Sequence, residues 1–183
     1  MCRERLFLVL VTLFMVAGVN VANAQTKDEM KASQERMEKL AKLCQKEPKS
    51  TGVGDVDTYV KNVYDAAILS MSTTEQLQNL YYRSIGETKD GVTDVNIKKP
   101  TVEELTALSV TIAAQALTIK NAAGAADKAL SASKAQKNPM KAAKIATALG
   151  FTKDAYPILV EESAAQTKAI AAMIETAKTA KNL

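Results

Sequence analysis

Residues 101–137 carry the longest uninterrupted helical pattern in this chain, and that pattern restricts the fold more than any other feature. The segment begins at the capping pair Thr101 and Glu104 and is interrupted at Asn138 and Pro139. A helix of this length can bury an apolar stripe only against other long helices. The apolar positions, which follow a 3-4 spacing and form the predicted core face, are Leu105, Leu108, Ile112, Ala116, Ile119, Ala123, Ala126 and Leu130.

The first half of the chain divides into two predicted helices at residues that favour helix ends. A helix over 26–47, rich in Lys, Glu and Leu, is followed by a flexible link that contains proline and glycine. Asp55 is a favourable N-cap for the next helix, and Gly86 is placed to end it. The pair Ser72 and Glu75 forms a capping-box pattern, at which this helix starts or restarts.

The second half adds a long loop and two more predicted helices. Residues 87–100 show no helical pattern, and we expect this loop to be a contact region because functional residues concentrate in long loops. Asn138 is a suitable N-cap for a short helix that starts at Pro139 and ends at Gly150. A final helix begins near Asp154. The sequence therefore predicts an all-α, antiparallel bundle of about four long helices plus one or two short ones.

The first 24 residues are predicted to be a cleaved secretory signal peptide. Two arginines precede an apolar run over 6–19, and the Ala-Asn-Ala sequence at 22–24 suits cleavage before Gln25. The run is shorter than the ~20 residues that span a bilayer, so we do not expect a transmembrane mature chain. Residues 25–183 then form one helical-bundle domain in a periplasmic or secreted location. Within it, the 26–47 helix can protrude as a coiled-coil-like arm.

Composition excludes several kinds of chemistry. The chain has no histidine, which excludes Ser-His and Cys-His catalysis and histidine-ligated metals. Cys44 is the one cysteine outside the predicted signal, so the mature chain can form no intramolecular disulfide. Glu161 and Glu162 are adjacent and diverge on a helix, and they lack the histidines of a di-iron bundle. We expect a protein without metal or cofactor; an enzyme that uses carboxylates or lysine is a less favoured alternative.

A narrow stripe on the 26–47 helix is a candidate dimer seam. Met30, Met37, Leu40 and Cys44 recur at spacings of 7, 3 and 4 residues, which places them on one side of the helix. Two chains paired in parallel through this stripe would bring their Cys44 thiols together, and an oxidising compartment would then lock a homodimer. The alternative is that the stripe packs inside its own bundle, with Cys44 as a small buried side chain.

A run of lysines without an acidic residue spans 128–153. Such a run can contact phospholipid, lipopolysaccharide or another polyanion, while the alternative is an ordinary solvated helix surface. It contains no arginine for bidentate phosphate contact, and with the secretion signal this argues against a nucleic-acid partner. The candidate anion contacts are Lys128, Lys134, Lys137, Lys141, Lys144 and Lys153.

Two functions from different classes follow from these patterns. The favoured prediction is a secreted or periplasmic helical bundle that does no chemistry and binds or scaffolds another macromolecule. Its partner is an unknown protein or a second copy of the chain, contacted through the 26–47 helix and the 87–100 loop. The alternative is a peripheral protein that binds anionic envelope lipid or a polyanion through the lysines of 128–153.

Overall fold

The computed structural model describes residues 27–93 and 96–180, and this part of the chain folds into four helices. They are α1 (Lys27–Leu43), α2 (Gly54–Ile85), α3 (Val102–Ala135) and α4 (Pro139–Ala180). The last three pack on one another, whereas α1 lies against α2 and α4 and, within the described residues, does not contact α3. The predicted all-α bundle is confirmed. The predicted signal peptide lies outside the described residues.

Three predicted helix ends are confirmed. The amide of Glu104 donates to Thr101 Oγ1 at 3.1 Å and the amide of Thr101 donates to Glu104 Oε2 at 2.7 Å, which completes a capping box at the start of α3. Gly86 ends α2 in the left-handed conformation, with φ of 73°. Asn138 Oδ1 accepts the amide of Met140 at 3.0 Å and so caps α4. Residues at or next to each end therefore determine these boundaries, by side-chain caps at Thr101 and Asn138 and by backbone conformation at Gly86.

Two predicted helix breaks are wrong. The first is the break at Gly150: α4 runs through Gly150 and Pro157, so the predicted short helix and the predicted final helix are one element. The second is the break at Ser72, through which α2 continues. An interior glycine costs about 1 kcal/mol and an interior proline about 3 kcal/mol. Buried positions such as Ile145 and Leu159 keep the helical spacing on both sides of these residues, and each contributes about 2 kcal/mol. Packing therefore outweighs the local breaking signals.

The start of α2 also differs from the prediction, because Asp55 is not its N-cap. That position belongs to Val53, which makes no side-chain capping bond. Asp57, two residues after Asp55, instead accepts hydrogen bonds from the link between α1 and α2. Ser50 Oγ donates to it at 2.6 Å, and the amide and the hydroxyl of Thr51 each donate at 2.7 Å. The link between α1 and α2 is thus tied to the first turn of α2.

The core face of α3 follows the prediction in its first half and departs from it afterwards. Leu105, Leu108, Ile112 and Ile119 are buried as predicted. The other buried positions of this helix are Gln115, Ala122 and Ala129, in place of the predicted Ala116, Ala123, Ala126 and Leu130. The polar side chain of Gln115 is therefore part of the core, at a place where apolar spacing alone favours the neighbouring Ala116.

Buried apolar side chains form three clusters along the bundle. The first includes Met30, Leu77 and Ile112, the second includes Met37, Leu159 and Ile119, and the third includes Val56, Ala129 and Ile145. Val56 of α2 packs with Ala129 of α3 at one end of the bundle, while Arg83 pairs with Glu104 at the other. α2 and α3 therefore run antiparallel, as predicted for neighbouring helices.

The carboxyl group of Asp57 contributes stability that depends on pH. Partial burial opposes its ionisation, but hydrogen bonds from Ser50, Thr51 and Gly52 outweigh that effect and lower the pKa of the carboxyl. Because the folded pKa lies below the unfolded value of about 3.9, the stabilisation is complete above the unfolded pKa. It is lost as the pH falls through the folded pKa.

We expect Asp57→Asn to lower the free energy of unfolding by about 1–2 kcal/mol at pH 7, because the link loses charge-assisted hydrogen bonds. The difference from the wild-type protein should shrink below about pH 4. Urea unfolding followed by circular dichroism at pH 7 and pH 3 measures both effects. Asp55→Asn, at an exposed neighbouring position, is the control and should leave stability unchanged. Equal stability of wild-type and Asp57→Asn at pH 7 would contradict this role.

Candidate functional site

One carboxylate is completely buried in the bundle. Glu162 of α4 has 0% of its surface exposed, and it is the one acidic or basic residue among those described that is buried in the core. Its hydrogen-bond partners on α1 lie between Met30, which belongs to the first apolar cluster, and Met37, which belongs to the second. An ionised carboxylate is costly at such a position unless paired and hydrogen-bonded.

Three donors from two other helices meet the carboxylate of Glu162. Ser33 of α1 and Thr74 of α2 donate their hydroxyls to Oε1, the latter at 2.6 Å. Arg36 of α1 donates its Nε–H to Oε2 at 2.6 Å and forms a salt bridge there. Because Ser33 and Arg36 are three residues apart, both side chains lie on the same side of α1. Both oxygens of Glu162 are therefore bound by donors that α1 and α2 supply.

Neutral side chains extend this contact across the bundle to α3. Gln166, one turn after Glu162, donates to Thr74 Oγ1 at 2.7 Å and to the carbonyl of Ser70 at 3.2 Å. Gln115 of α3 donates to Gln166 Oε1 at 2.8 Å and to Ser70 Oγ at 3.2 Å. The chain of hydrogen bonds thus contains a side chain from every helix. We call these six core residues the polar layer: Ser33, Ser70, Thr74, Gln115, Glu162 and Gln166.

The polar layer selects one register for the helices. A shift of α1 by one turn would leave Glu162 without Ser33 and Arg36, and an unpaired buried charge costs several kcal/mol. A shift of α3 would likewise separate Gln115 from Gln166. Within the described residues, Gln115 Oε1 is the one buried side-chain polar atom without a hydrogen-bond partner. The hydrogen bonds of the polar layer therefore hold α1 and α3 against α2 and α4.

Sequence reasoning missed the polar layer although its signal is present in the chain. Ser33 lies three residues after Met30 and four before Met37, which puts a serine inside the apolar stripe. Gln115 lies three residues after Ile112 and four before Ile119, in the same way. A polar residue at a core-facing helical position indicates a buried hydrogen bond, but its partner can be identified only after the helices are placed.

The predicted dimer-seam residues lie inside their own chain. Met30, Met37, Leu40 and Cys44 are all buried, and they pack on side chains of α2 and α4 in the first two apolar clusters. This placement corresponds to the single-chain alternative, and it means that α1 packs along the bundle instead of protruding from it. Burial also raises the pKa of the Cys44 thiol, which reduces its thiolate fraction.

The predicted anion contacts are all exposed, and four of them lie on either side of one turn. Lys134, Lys137, Lys141 and Lys144 surround the turn between α3 and α4, and we call these four residues the lysine end. The other two predicted contacts, in contrast, have acidic neighbours. Lys128 lines a shallow pocket with Asp55 and Asp127, and Lys153 is followed by Asp154.

Hydrogen bonds hold the loop between α2 and α3 at several points. Glu87 and Thr93 form an antiparallel bridge, and the amide of Thr88 donates to the carbonyl of Val92 at 2.9 Å. Arg83 donates to the carbonyl of Lys98 at 3.0 Å, which fixes the second part of the loop. The side chain of Val92 remains exposed. A role for this loop as a contact region stays a prediction.

Two further findings concern the described residues as a whole. No group of three or more His, Cys, Asp or Glu side chains among them is arranged to hold a metal ion. α3 is the one described helix whose length and composition would allow it to cross a membrane, and 28% of its most apolar window is buried in the bundle. The core helix of a water-soluble bundle satisfies the same criterion, so the finding shows only that α3 is long and apolar.

Comparisons with known proteins identify no relative of this chain. No protein-family model, curated protein or solved structure matches it.

We expect Arg36→Met to lower the free energy of unfolding by about 3–5 kcal/mol, because the variant leaves the buried Glu162 carboxylate without its cation. The double variant Arg36→Met/Glu162→Leu removes the charge as well and should recover much of that loss. Lys168→Met is the matched control, since it breaks the exposed Lys168–Glu29 pair and should cost less than about 1 kcal/mol.

Urea unfolding of the three variants at neutral pH measures these differences. If Arg36→Met does not fold, recovery of a folded protein in the double variant still tests the pairing. Equal losses in Arg36→Met and Lys168→Met would contradict the importance of the buried pair.

Proposed function

We propose that this chain is a secreted or periplasmic helical-bundle protein that does no chemistry and binds or scaffolds another macromolecule. The observation that supports this proposal is the lysine end, where four exposed lysines lie within 134–144. No acidic side chain occurs anywhere between residues 128 and 153. A cluster of one sign concentrates positive potential at a single place on the surface and attracts an anionic partner.

The side chains of the lysine end are exposed, which makes them accessible to a large partner. From Pro139 to Thr147 the side chains of α4 are exposed, with Ile145 as the buried exception. Lys141 Nζ donates to the carbonyl of Gly52 at 3.3 Å, so this end also borders the link between α1 and α2. Two of the four lysines, Lys141 and Lys144, are held on the first turns of α4 and need little reorganisation of the backbone to meet an anionic surface.

A second candidate, binding to anionic envelope lipid, is favoured by the apolar side chains beside the lysines. Met140 is 76% exposed between Lys137 and Lys141, and Leu130 is 48% exposed one turn before Lys134. Basic residues interleaved with exposed apolar side chains are typical of proteins that bind at a membrane surface. A soluble acidic partner would need only the positive charges of the lysines for binding, and not the exposed apolar side chains.

The test compares two probes of the same charge sign. The purified protein is sedimented with vesicles of phosphatidylglycerol and phosphatidylcholine, and separately titrated with soluble polyglutamate, at low and high salt. The test variant changes Lys134, Lys137, Lys141 and Lys144 to Gln. The matched control changes four exposed lysines elsewhere in the chain, namely Lys31, Lys39, Lys99 and Lys178.

We expect anionic binding that weakens with salt and falls at least tenfold in the lysine-end variant, because each lysine near an anionic surface contributes about 1 kcal/mol. The control should bind like the wild-type protein. Binding to vesicles but not to polyglutamate, further reduced by Met140→Ser, would support the lipid candidate. Absence of binding to both probes at low salt, or equal losses in both variants, would contradict the role of the lysine end.

A further inference from the structure

One face of α3 has none of the other three described helices packed on it. α1 packs on the opposite side of the bundle, against α2 and α4, so the outer face of α3 receives no helix within the described residues. Val110 is 48% exposed and Leu117 is 59% exposed on this face. Because they are one heptad apart, these two aliphatic side chains lie on the same side of the helix, as the apolar positions of a helix–helix seam do.

The uncovered face has the residue spacing of a helix–helix seam. Ala107, Val110, Ala114, Leu117 and Asn121 follow one another at 3-4-3-4 intervals, and all five are exposed. We call these five residues the outer seam. The intervals match those of the buried positions 105, 108, 112, 115, 119 and 122, which pack inside the bundle. α3 thus carries two seams, of which the described part of its own chain fills one.

The charges on α3 indicate what covers the outer seam. No acidic or basic residue lies between Glu104 and Lys120, so the face can pack against a copy of itself without repulsion. In an antiparallel pair centred on Ala114, Lys120 of each copy lies near the acidic first turn of α3 in the other copy. Antiparallel helices also align their dipoles favourably. The face is therefore self-complementary, as a two-fold interface requires.

We propose that a second copy of this chain covers the outer seam, with the two α3 helices antiparallel about a two-fold axis near Ala114. Val110 of each copy then packs against Leu117 of the other. Asn121 lies opposite Ala107 towards the end of the seam, where water reaches its amide. A seam of about four turns belongs to the small interfaces, so this dimer dissociates on dilution. The interface is separate from the lysine end and does not depend on the proposed function.

The first experiment measures self-association. Analytical ultracentrifugation of the purified protein between about 1 and 500 µM should show a monomer converting to a dimer, since a small interface corresponds to micromolar affinity. Val110→Glu/Leu117→Glu should remain folded, because both positions are exposed, and should raise the dissociation constant at least tenfold. Val160→Glu, at an exposed aliphatic position on α4, is the matched control and should dimerise normally.

The second experiment tests the orientation by disulfide cross-linking. Cysteines are introduced singly by Ala107→Cys or Asn121→Cys in a background that carries Cys2→Ser and Cys44→Ser. An antiparallel seam cross-links a mixture of the two variants much faster than either variant alone, because residue 107 of one copy meets residue 121 of the other. Faster cross-linking of each variant with itself would overturn the antiparallel arrangement.

Other outcomes of these measurements would overturn the proposal as a whole. A monomer at every concentration would do so, as would a dimer that Val110→Glu/Leu117→Glu leaves intact. Binding of the monomer to neutral lipid vesicles that this double variant abolishes would show that lipid, and not a second copy, covers the outer seam. The variant with Gln at the four positions of the lysine end should dimerise normally. Loss of anion binding and loss of dimerisation can therefore be told apart.

Discussion

The carboxylate of Glu162 can stay in the core only while Ser33, Arg36 and Thr74 donate to it. This requirement ties α1 to α2 and α4, although α1 is short and buries few large apolar side chains. Apolar contacts alone tolerate sliding of one helix along another, whereas a buried charge with three donors does not. The contact between Glu162 and its three donors therefore sets the position of α1 on the rest of the bundle.

The position of α1 decides which surfaces remain open. Once α1 occupies the side of the bundle formed by α2 and α4, the outer face of α3 has no helix packed on it among residues 27–93 and 96–180. At the turn between α3 and α4, Lys134 and Lys144 are exposed. The proposed dimer contact and the proposed anion contact thus lie on different surfaces of the bundle. A chain with α1 on α3 would not offer the same apolar face.

Much of the fold could be predicted because several helix ends depend on neighbouring residues alone. The capping box at Thr101, the left-handed Gly86 and the capping Asn138 each satisfy helix-end groups within a few residues. The predictions that are wrong, at Asp55 and Gly150, concern weak local preferences. At Gly150, side chains on other helices override a preference of about 1 kcal/mol, and no local pattern reports their presence. At Asp55, the neighbouring link interacts with Asp57 instead, through Ser50 and Thr51.

The sequence by itself determined that the chain forms long amphipathic helices, where three of them begin or end, and that histidine chemistry is absent. Only the tertiary structure decided that Gln115 and Glu162 belong to the core and that Met37 and Cys44 face inward. The reason is physical. An apolar side chain favours burial against almost any apolar surface, whereas a buried polar group is stable only where a matching group from another helix meets it.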